Sequence, residues 1–397
     1  MKKTIKISQL EVGMFVESDD AASGRRSLKA RLITGREQIQ ELKSAGLTQI
    51  TIDTDKGKDL PKRQVVVRAP RKAKPKPPGR QVPYKEELKQ ARVARRVVSK
   101  AVKGAMEDVA LGGSMDKSKL DAAGKLITKS VFRNVDAMVG LTRIKEQDPY
   151  TATHCVNVCV LVLAVALSEG ISESDAEMLA TAALLHDVGK TKVPLEVLNK
   201  PGRFEPHELA EMRKHTVYGE EILREMPGIT DEVLFIATQH HEMFDGTGYP
   251  HSLTGDEISR FGQMTAVADV YDALTSARVY KPAMPPHFAL GRIYGLRDTE
   301  FRSDVVDLFV KSLGLYPVGS LVILDTGEVG VVCEPNPGNT REPKVGVVIT
   351  RYKKRRPTPL VVDLADPHAT EKRKIVKVLD PAKYKVDVDK ILKMTTG

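Results

Sequence analysis

The sequence predicts a multidomain protein in which a central all-α domain is flanked by a small N-terminal α+β module and a small C-terminal β-rich module. Three features predict this class. Period-two alternation of apolar and polar residues is confined to the two ends of the chain, a basic Pro-rich segment interrupts it early, and helical patterns joined by short polar turns fill the middle. The 397 residues, 41% of them hydrophobic and 29% charged, suffice for two or three domains and exclude wholesale disorder.

The predicted N-terminal module covers residues 1–66. Within it the sequence predicts a helix over 35–45 and strands at 5–7, 13–17, 49–53 and 64–67. Residues 67–83 form the predicted linker, because their prolines exclude regular structure and their like charges repel one another. A role in binding nucleic acid or an anionic membrane is the alternative for this basic run, but such runs are usually solvated, which favours a linker.

The rest of the chain divides into a helical part and a strand-rich part. A connecting helix is predicted over 84–115, where Gly112 and Gly113 end the helical pattern, and the all-α domain is predicted over 116–315. Residues 316–397 are predicted to form the C-terminal module. Its predicted strands lie at 321–324, 328–333, 345–350 and 360–364.

Composition limits the classes of function. The chain carries 62 Lys and Arg against 52 Asp and Glu, a formal charge of +10 that suits an anionic partner, although solubility alone explains it too. A basic run at 351–356 accompanies no recognisable nucleic-acid-binding motif, so nucleic acid is not an expected partner. The longest apolar stretch, 158–167, is about half as long as a membrane span. No signal region follows the N-terminus and three cysteines make no disulfide framework, so we expect a cytoplasmic protein.

Seven side chains that can bind a metal recur through the helical region of a chain that has only nine histidines. The sequence places each at or near an end of a predicted helix, so that helix ends can gather them around a metal cluster. They are His154, His186, Asp187, His215, His240, His241 and Asp269. Mixed imidazole and carboxylate donors suit divalent iron, manganese or zinc. A carboxylate between two sets of imidazoles can bridge two cations about 3.5–4 Å apart, as in two-metal phosphoryl-transfer sites.

An alternative explanation is that these histidines are structural. Two adjacent pairs of candidate ligands in a chain poor in histidine argue against it. His186 and Asp187 follow the apolar run 179–185, which puts a carboxylate at the edge of a core, where it must be paired or metal-bound. Cys155 and Cys159 are four residues apart on an apolar helix, and we expect them to pack rather than to act as nucleophiles.

Five motifs between residues 148 and 284 carry a family resemblance. The segment LLHDVGK at 184–190 resembles the signature of the HD-superfamily phosphohydrolases. QHHE at 239–242, followed by DGTGYP at 245–250, is similar to the diagnostic motifs of the HD-GYP subgroup. DVYDALTS at 269–276, with Arg278, Tyr280 and Lys281, is similar to another HD-GYP segment. The first 66 residues resemble a domain of unknown function that often precedes HD-GYP domains.

The resemblance implies a phosphodiesterase that uses a metal-activated hydroxide to hydrolyse cyclic di-GMP, a bacterial second messenger, to the linear dinucleotide pGpG, and in some members to GMP. The seven candidate ligands fall on metal-ligand positions of the family, and Asp187 is expected to be essential for catalysis. Lys190, Arg278 and Lys281 fall on phosphate-contacting positions, where cations suit two phosphodiester charges. Lys190 is also a candidate catalytic residue. Tyr249 is a candidate for substrate binding or a structural plug of its loop, and Asp245 is expected to brace that loop.

One departure from the family pattern bears on the number of metal ions. Trinuclear members carry a Glu four residues before the first ligand histidine, and Tyr150 stands there in this chain. A phenol, with a pKa of about 10, is a poor ligand near neutral pH. We therefore expect two divalent ions per chain, iron or manganese with zinc as an alternative, and a slow second step to GMP. Asp187 is expected to bridge them. One predicted sphere holds His154, His186 and Asp269, and the other holds His215, His240 and His241.

Two alternatives remain open at this point. The first alternative is an HD-type phosphohydrolase of another cyclic nucleotide. The second is a catalytically weak receptor that binds cyclic di-GMP and signals through the β modules. Loss of a ligand position would favour the receptor, and no such position is lost. The resemblance also implies protein partners that bind the GYP loop or the N-terminal module.

Overall fold

The computed structural model describes residues 2–7, 10–17, 29–45, 49–58, 81–144, 150–277, 283–336 and 338–396. The chain divides into two compact units, Met1–Lys74 and Pro75–Gly397. The first unit is a small α+β module. The second unit contains both the helical domain and the C-terminal sheet. The predicted fold class, helices in the middle with strands at both ends of the chain, is therefore confirmed.

The N-terminal unit is built on a four-stranded antiparallel sheet in the order β1-β4-β2-β3. Its elements are β1 (Lys2–Lys6), β2 (Phe15–Val16), β3 (Arg31–Leu32), α1 (Arg36–Ser44) and β4 (Gln49–Asp53). A small core of its own includes Met14, Val16, Ile33, Leu42 and Ile52. The sequence does not predict β3, because two residues are too few for an alternation pattern. The predicted strand at 64–67 lies outside the described residues.

Helices α2 to α13 form the helical part of the second unit. They are α2 (Tyr84–Ala110), α3 (Lys117–Arg133), α4 (Val135–Leu141), α5 (Tyr150–Ser168), α6 (Glu173–Leu185), α7 (Leu195–Leu198), α8 (Pro206–Arg213), α9 (His215–Arg224), α10 (Asp231–Gln239), α11 (Arg260–Thr275), α12 (Pro286–Tyr294) and α13 (Ser303–Leu313). The side chains of Asp116, Asn134, Ser172 and Ser259 accept hydrogen bonds from backbone N–H groups in the first turns of α3, α4, α6 and α11. These caps fix where the four helices begin.

Helix α5 is the central helix of the domain and packs against α2, α6, α11 and α13. It is apolar on every side, as expected of a helix that is surrounded by protein. Of the described helices it alone is long and apolar enough, over Thr151–Ser168, to cross a membrane by length and composition, and most of that segment is buried inside the domain. Its character therefore matches that of a core helix.

The C-terminal strands form an antiparallel sheet in the order β8-β7-β6-β5-β9. The strands are β5 (Leu321–Leu324), β6 (Val329–Glu334), β7 (Lys344–Ile349), β8 (Arg355–Asp363) and β9 (Ile375–Leu379), and two helices follow, α14 (Pro381–Tyr384) and α15 (Val388–Thr396). Leu321, Val329 and Val331 belong to the same hydrophobic core as the helices. The Tyr84 hydroxyl also donates a hydrogen bond to the carbonyl oxygen of Cys333, at 3.4 Å. The sheet and the helical domain thus form one compact unit.

Candidate metal centre

The helical domain brings all seven candidate ligands together. His154 lies in the second turn of α5, His186 and Asp187 directly follow α6, and His215 opens α9. His240 and His241 follow α10. Asp269 differs from the expectation that each ligand lies near a helix end, because it lies well inside α11. It faces the cluster because α11 packs along α5, which carries His154.

The turn after Asp187 sets how closely α6 and α9 approach. Residues Val188–Lys192 form one 3₁₀ turn that packs against α9. A Cβ atom at Gly189 would clash with the carbonyl oxygen of His215 and the backbone nitrogen of Gly219. Glycine is therefore required there, because only a residue without a side chain lets the backbone after Asp187 lie against the start of α9.

The ligand atoms form two groups. The ligand atoms of His154, His186 and Asp269 lie within 4.8 Å of one another, and those of His215, His240 and His241 do the same. Asp187 stands between the groups. Its Oδ2 lies 3.6 Å from His154 Nε2 and 3.4 Å from His186 Nε2. Its Oδ1 lies 3.5 Å from His215 Nε2 and 3.7 Å from His240 Nε2. One oxygen thus faces each group.

Two atoms at the centre of this arrangement make no hydrogen bond with any described residue. They are His186 Nε2 and Asp187 Oδ1, and both residues are buried. Unpaired buried polar atoms are rare in folded proteins because each costs about 1–3 kcal/mol. Imidazole nitrogens and carboxylate oxygens are the donors that divalent transition metals accept. The residues present therefore fit metal ions placed between the two groups.

The protonation states suit metal binding. Burial lowers the pKa of His241 to about 3, and burial with the neighbouring imidazoles holds the pKa of His240 well below its usual value. Burial alone would raise the pKa of Asp187 and of Asp269. At Asp187 the Lys190 ammonium and nearby imidazoles outweigh burial, and at Asp269 the hydrogen bond from His154 and nearby imidazoles do so. Both pKa values therefore lie well below the usual range. Neutral imidazoles and ionised carboxylates are the forms that bind metals.

His154 differs from the other candidate imidazole ligands, because it is paired with two carboxylates. Burial would lower the pKa of this imidazole, yet hydrogen bonds to the carboxylates of Asp269 and Asp272 outweigh burial and raise the pKa to about 10. His154 Nε2 lies 3.0 Å from Asp269 Oδ1. The cluster therefore holds more negative charge than its own groups balance, and it favours positive charge at its centre.

A second layer of contacts orients the imidazoles. His154 Nδ1 donates to Asp272 Oδ2 at 2.7 Å, and Asp272 Oδ1 accepts a hydrogen bond from Asn157 Nδ2 at 2.8 Å. The Nδ1 atoms of His186, His215 and His240 lie 2.7–2.9 Å from carbonyl oxygens three residues earlier. A carbonyl only accepts, so each Nδ1 carries the proton and each Nε2 lone pair faces the cluster. This role of Asp272 was not predicted from the sequence.

The predicted phosphate contacts are described only in part. Lys190 Nζ lies 2.6 Å from Asp187 Oδ2, so its ammonium borders the cluster. Arg278 and Lys281 lie outside the described residues, and their contact with substrate stays a prediction. Cys155 lies close to His186 and Asp187. Burial raises the pKa of the Cys155 thiol well above its usual value, which agrees with the predicted packing role.

The DGTGYP loop covers one side of the cluster. The Tyr249 ring stacks on the His241 ring at a centroid distance of 4.8 Å and an interplanar angle of 23°. The guanidinium carbon of Arg213 lies 4.9 Å from the centre of the Tyr249 ring. The Tyr249–Pro250 peptide bond is cis. Asp245 Oδ1 accepts from the Thr247 N–H at 3.0 Å, so it braces the loop as predicted.

Glu242 ties this loop to the ligand pair before it. Its buried carboxylate accepts the N–H of His251 at 2.7 Å and the N–H of Leu253 at 3.0 Å. A hydrogen bond to a charged group contributes about 1.5–3 kcal/mol. Glu242 is the last residue of the HHE motif, and no role was predicted for it from the sequence. Its position directly after two candidate ligand histidines is the sequence feature that could have indicated a role.

We expect Glu242→Gln to destabilise the domain, because the amide keeps one accepting oxygen where the carboxylate has two and loses the charge. The expected cost is about 1.5–3 kcal/mol, which lowers the Tm by several degrees in thermal unfolding. Glu225→Gln is the matched control, since Glu225 is exposed at the end of α9. A Tm that falls equally for both variants, or for neither, would contradict the role of Glu242.

Matches to known families and proteins show which family the chain belongs to. The HD domain family matches residues 127–304, and a domain of unknown function (DUF3391) matches residues 2–119. The chain is 33% identical over 378 residues to the cyclic di-GMP phosphodiesterase PA4108 of Pseudomonas aeruginosa, covering 94% of this chain and 91% of that protein. The chain belongs to the HD-GYP family of HD-domain phosphodiesterases. The predicted family and the predicted phosphodiesterase class are both confirmed.

Further relatives match a smaller part of the chain. The cyclic di-GMP phosphodiesterase response regulator RpfG of Xanthomonas campestris pv. campestris is 40% identical over 148 residues, 37% of this chain and 39% of that protein. The 3′3′-cGAMP-specific phosphodiesterase 2 of Vibrio cholerae is 35% identical over 193 residues, 45% of this chain and 37% of that protein. Membership implies divalent metal binding, and the two ligand groups can hold metal ions.

Proposed function

We propose that this protein is a cytoplasmic phosphodiesterase that hydrolyses cyclic di-GMP to the linear dinucleotide pGpG with two divalent ions. The observation that carries the proposal is the position of Asp187, which directs one oxygen toward each of two ligand groups. A single carboxylate placed in this way suits a bridge between two cations. Iron and manganese fit this mixed donor set best, and zinc is the alternative.

The residues of the chain have distinct tasks in this proposal. One ligand group consists of His154, His186 and Asp269 and the other of His215, His240 and His241. When bound, two divalent ions supply a water of lowered pKa and neutralise charge on the phosphodiester. Asp187 links the two groups. Lys190 neutralises Asp187 and places an ammonium at the edge of the cluster.

Arg213 supports an anionic substrate at this site. Its side chain is exposed and lies over Tyr249, which stacks on His241. Among the described residues no carboxylate forms an ion pair with Arg213. A guanidinium held on an aromatic ring beside a predicted ligand is placed to contact a phosphate of a bound dinucleotide. Tyr249 then presents the guanidinium and borders the site.

We expect Arg213→Ala to raise the KM for cyclic di-GMP about tenfold, the equivalent of about 1.4 kcal/mol, with kcat and metal content unchanged. The modest size reflects the exposure of the side chain to solvent. Initial rates over a range of substrate concentrations measure the effect. Arg224→Ala is the control, because Arg224 is an exposed arginine paired with Glu220 on the same face of α9. An unchanged KM in Arg213→Ala would remove Arg213 from the substrate site.

The second candidate substrate is 3′3′-cGAMP, because a relative with that specificity is 35% identical to part of this chain. The observation that favours cyclic di-GMP is the match to PA4108, which extends over nearly the whole of both chains. The test is turnover of the two dinucleotides by full-length protein purified without oxygen and supplied with Mn²⁺ or Fe²⁺. We expect a higher kcat/KM for cyclic di-GMP and no hydrolysis after chelation. A higher kcat/KM for 3′3′-cGAMP would contradict cyclic di-GMP as the preferred substrate. Binding of cyclic di-GMP without hydrolysis would favour a catalytically weak receptor.

We expect linear pGpG to be the main early product, with GMP late or absent. The reason is Tyr150, which stands where trinuclear members carry Glu. The opened product gains a terminal phosphate, and with two cations its release competes with a second cleavage. Chromatography of a time course, with enzyme far below substrate, measures the ratio. GMP that accumulates in step with pGpG from the first turnovers, or three ions per chain, would show that the Tyr150 argument is wrong.

A further inference from the structure

Helix α2 presents an apolar stripe to solvent along one side. Val93, Val97 and Leu111 are 60%, 52% and 88% exposed, and with Gly104 they recur at intervals of four and seven residues. At 100° per residue these positions fall within about 20° of one line along the helix. Single exposed apolar residues are ordinary, but three on one side of one helix can mark a contact surface.

The opposite side of α2 is fixed to the domain. Leu88, Val98 and Val102 on that side belong to the hydrophobic core. The buried carboxylate of Glu87 accepts hydrogen bonds from Arg133 Nε at 2.7 Å and Arg133 Nη2 at 2.8 Å. The helix is therefore held rigidly, and its stripe keeps one orientation toward the solvent.

A groove runs beside the stripe, between α2 and α3. Its volume is about 580 Å³, and small side chains such as Ala101, Ala105 and Ala122 line much of it. At its centre lies Gly104, where an added Cβ would meet no atom within 4 Å. Packing within the chain therefore does not require this glycine, although glycine inside a helix costs about 1 kcal/mol relative to alanine. Close approach by another helix supplies a reason for it.

The charges beside the stripe are arranged symmetrically about Gly104. Lys100 precedes Gly104 by four residues and Asp108 follows it by four, and both line the groove. Among the described residues neither side chain forms an ion pair. In a pair of antiparallel helices related by a two-fold axis at Gly104, Lys100 would face Asp108 of the partner subunit. The same axis would set Val97 against Leu111 of the partner subunit. A two-fold interface requires this self-complementary arrangement.

The geometry points to a second copy of this chain as the occupant of the stripe. We infer a homodimer in which two α2 helices cross antiparallel at Gly104. The paired part of the interface extends over about 21 Å of helix, the rise from Val97 to Leu111. Each Lys100–Asp108 pair forms twice, once on either side of the axis. This inference concerns assembly and stands apart from the catalytic proposal.

The test is the mass of the full-length protein in solution. At tens of micromolar we expect light scattering to give twice the chain mass of 43.7 kDa, and the double variant Val97→Glu/Leu111→Glu to give the chain mass. Both positions are exposed, so circular dichroism of this variant should match that of the parent. A parent protein that stays monomeric up to about 100 µM, or a dimer that persists in the double variant, would overturn the inference.

A charge exchange tests the antiparallel register. Lys100→Asp sets two carboxylates against each other and is expected to weaken the dimer at least tenfold, as is Asp108→Lys. The double variant Lys100→Asp/Asp108→Lys restores opposite charges and is expected to recover the parent dissociation constant. Lys85→Asp, about 100° around the helix from the stripe, should change nothing. No recovery in the double variant, or protection of the stripe by the N-terminal module of the same chain in hydrogen exchange, would contradict the register.

Discussion

Replacing Asp187 with Asn is expected to lower bound metal from two ions per chain to fewer than one, and to slow hydrolysis of cyclic di-GMP at least about 1000-fold. The amide keeps the size of the side chain but removes the charge, and its nitrogen cannot act as a ligand. Asp187 Oδ1 is buried and makes no hydrogen bond with any described residue. Coordination of a metal ion accounts for this oxygen, and the substitution removes the charge on which that coordination depends. Both ligand groups therefore lose the carboxylate that stands between them.

The measurement is metal content by mass spectrometry after gel filtration, together with product chromatography. Asp121→Asn is the matched control, because Asp121 is an exposed residue of α3 whose one ion pair within the described part of the chain is with Lys117. Thermal unfolding of the metal-free forms shows whether the variant folds. An Asp187→Asn variant that retains two ions, or that retains turnover after its metal is lost, would contradict the bridging role.

Replacing Asp272 with Asn is expected to weaken metal affinity about 10–100-fold, as substitutions of groups that orient metal ligands do. The carboxylate accepts from both His154 Nδ1 and Asn157 Nδ2. An amide can accept through one oxygen only, and the uncharged group no longer favours the orientation of His154 that directs Nε2 into the cluster. Asp272 touches no predicted reaction centre, so it is a positioning residue.

Competition with a chromophoric chelator measures the affinity of the Asp272→Asn variant. Saturating metal should restore most of the activity, a result that a merely unfolded variant cannot give. Asp304→Asn on α13 is the control, because Asp304 is a half-exposed carboxylate paired with Arg260 and Arg302. If the Asp272→Asn variant binds metal as tightly as the parent protein, the hydrogen bond from His154 to Asp272 does not position His154.

The sequence predicted regular elements best where the pattern is local. The predicted strands at 49–53 and 321–324 coincide with β4 and β5. Strand β9 and helix α15 were not predicted from the sequence. Strand β9 pairs with β5, more than 40 residues earlier, and α15 packs on β6 and β8. Their stability depends on partners that are distant in sequence, which single-segment patterns do not reveal.

Five of the seven candidate ligands were predictable because they lie in short motifs, whereas the residues that support the ligands were not. Asp272 stands three residues after Asp269, a spacing that places both on one side of a helix. Its partner His154 is on α5, 118 positions away. The contact of Arg213 with Tyr249 likewise joins α8 to the DGTGYP loop. These contacts arise from helix packing, which the sequence does not state residue by residue.

Stepwise reconstitution of the metal-free, full-length protein tests the central claim most directly. Mn²⁺ or Fe²⁺ is added without oxygen in fractions of an equivalent, and initial rates of pGpG formation are followed beside bound metal. We expect little turnover below one ion per chain, a steep rise as the second binds, and a plateau at two. Full activity with a single ion per chain, or hydrolysis of cyclic di-GMP by the metal-free protein, would contradict a two-metal centre bridged by Asp187.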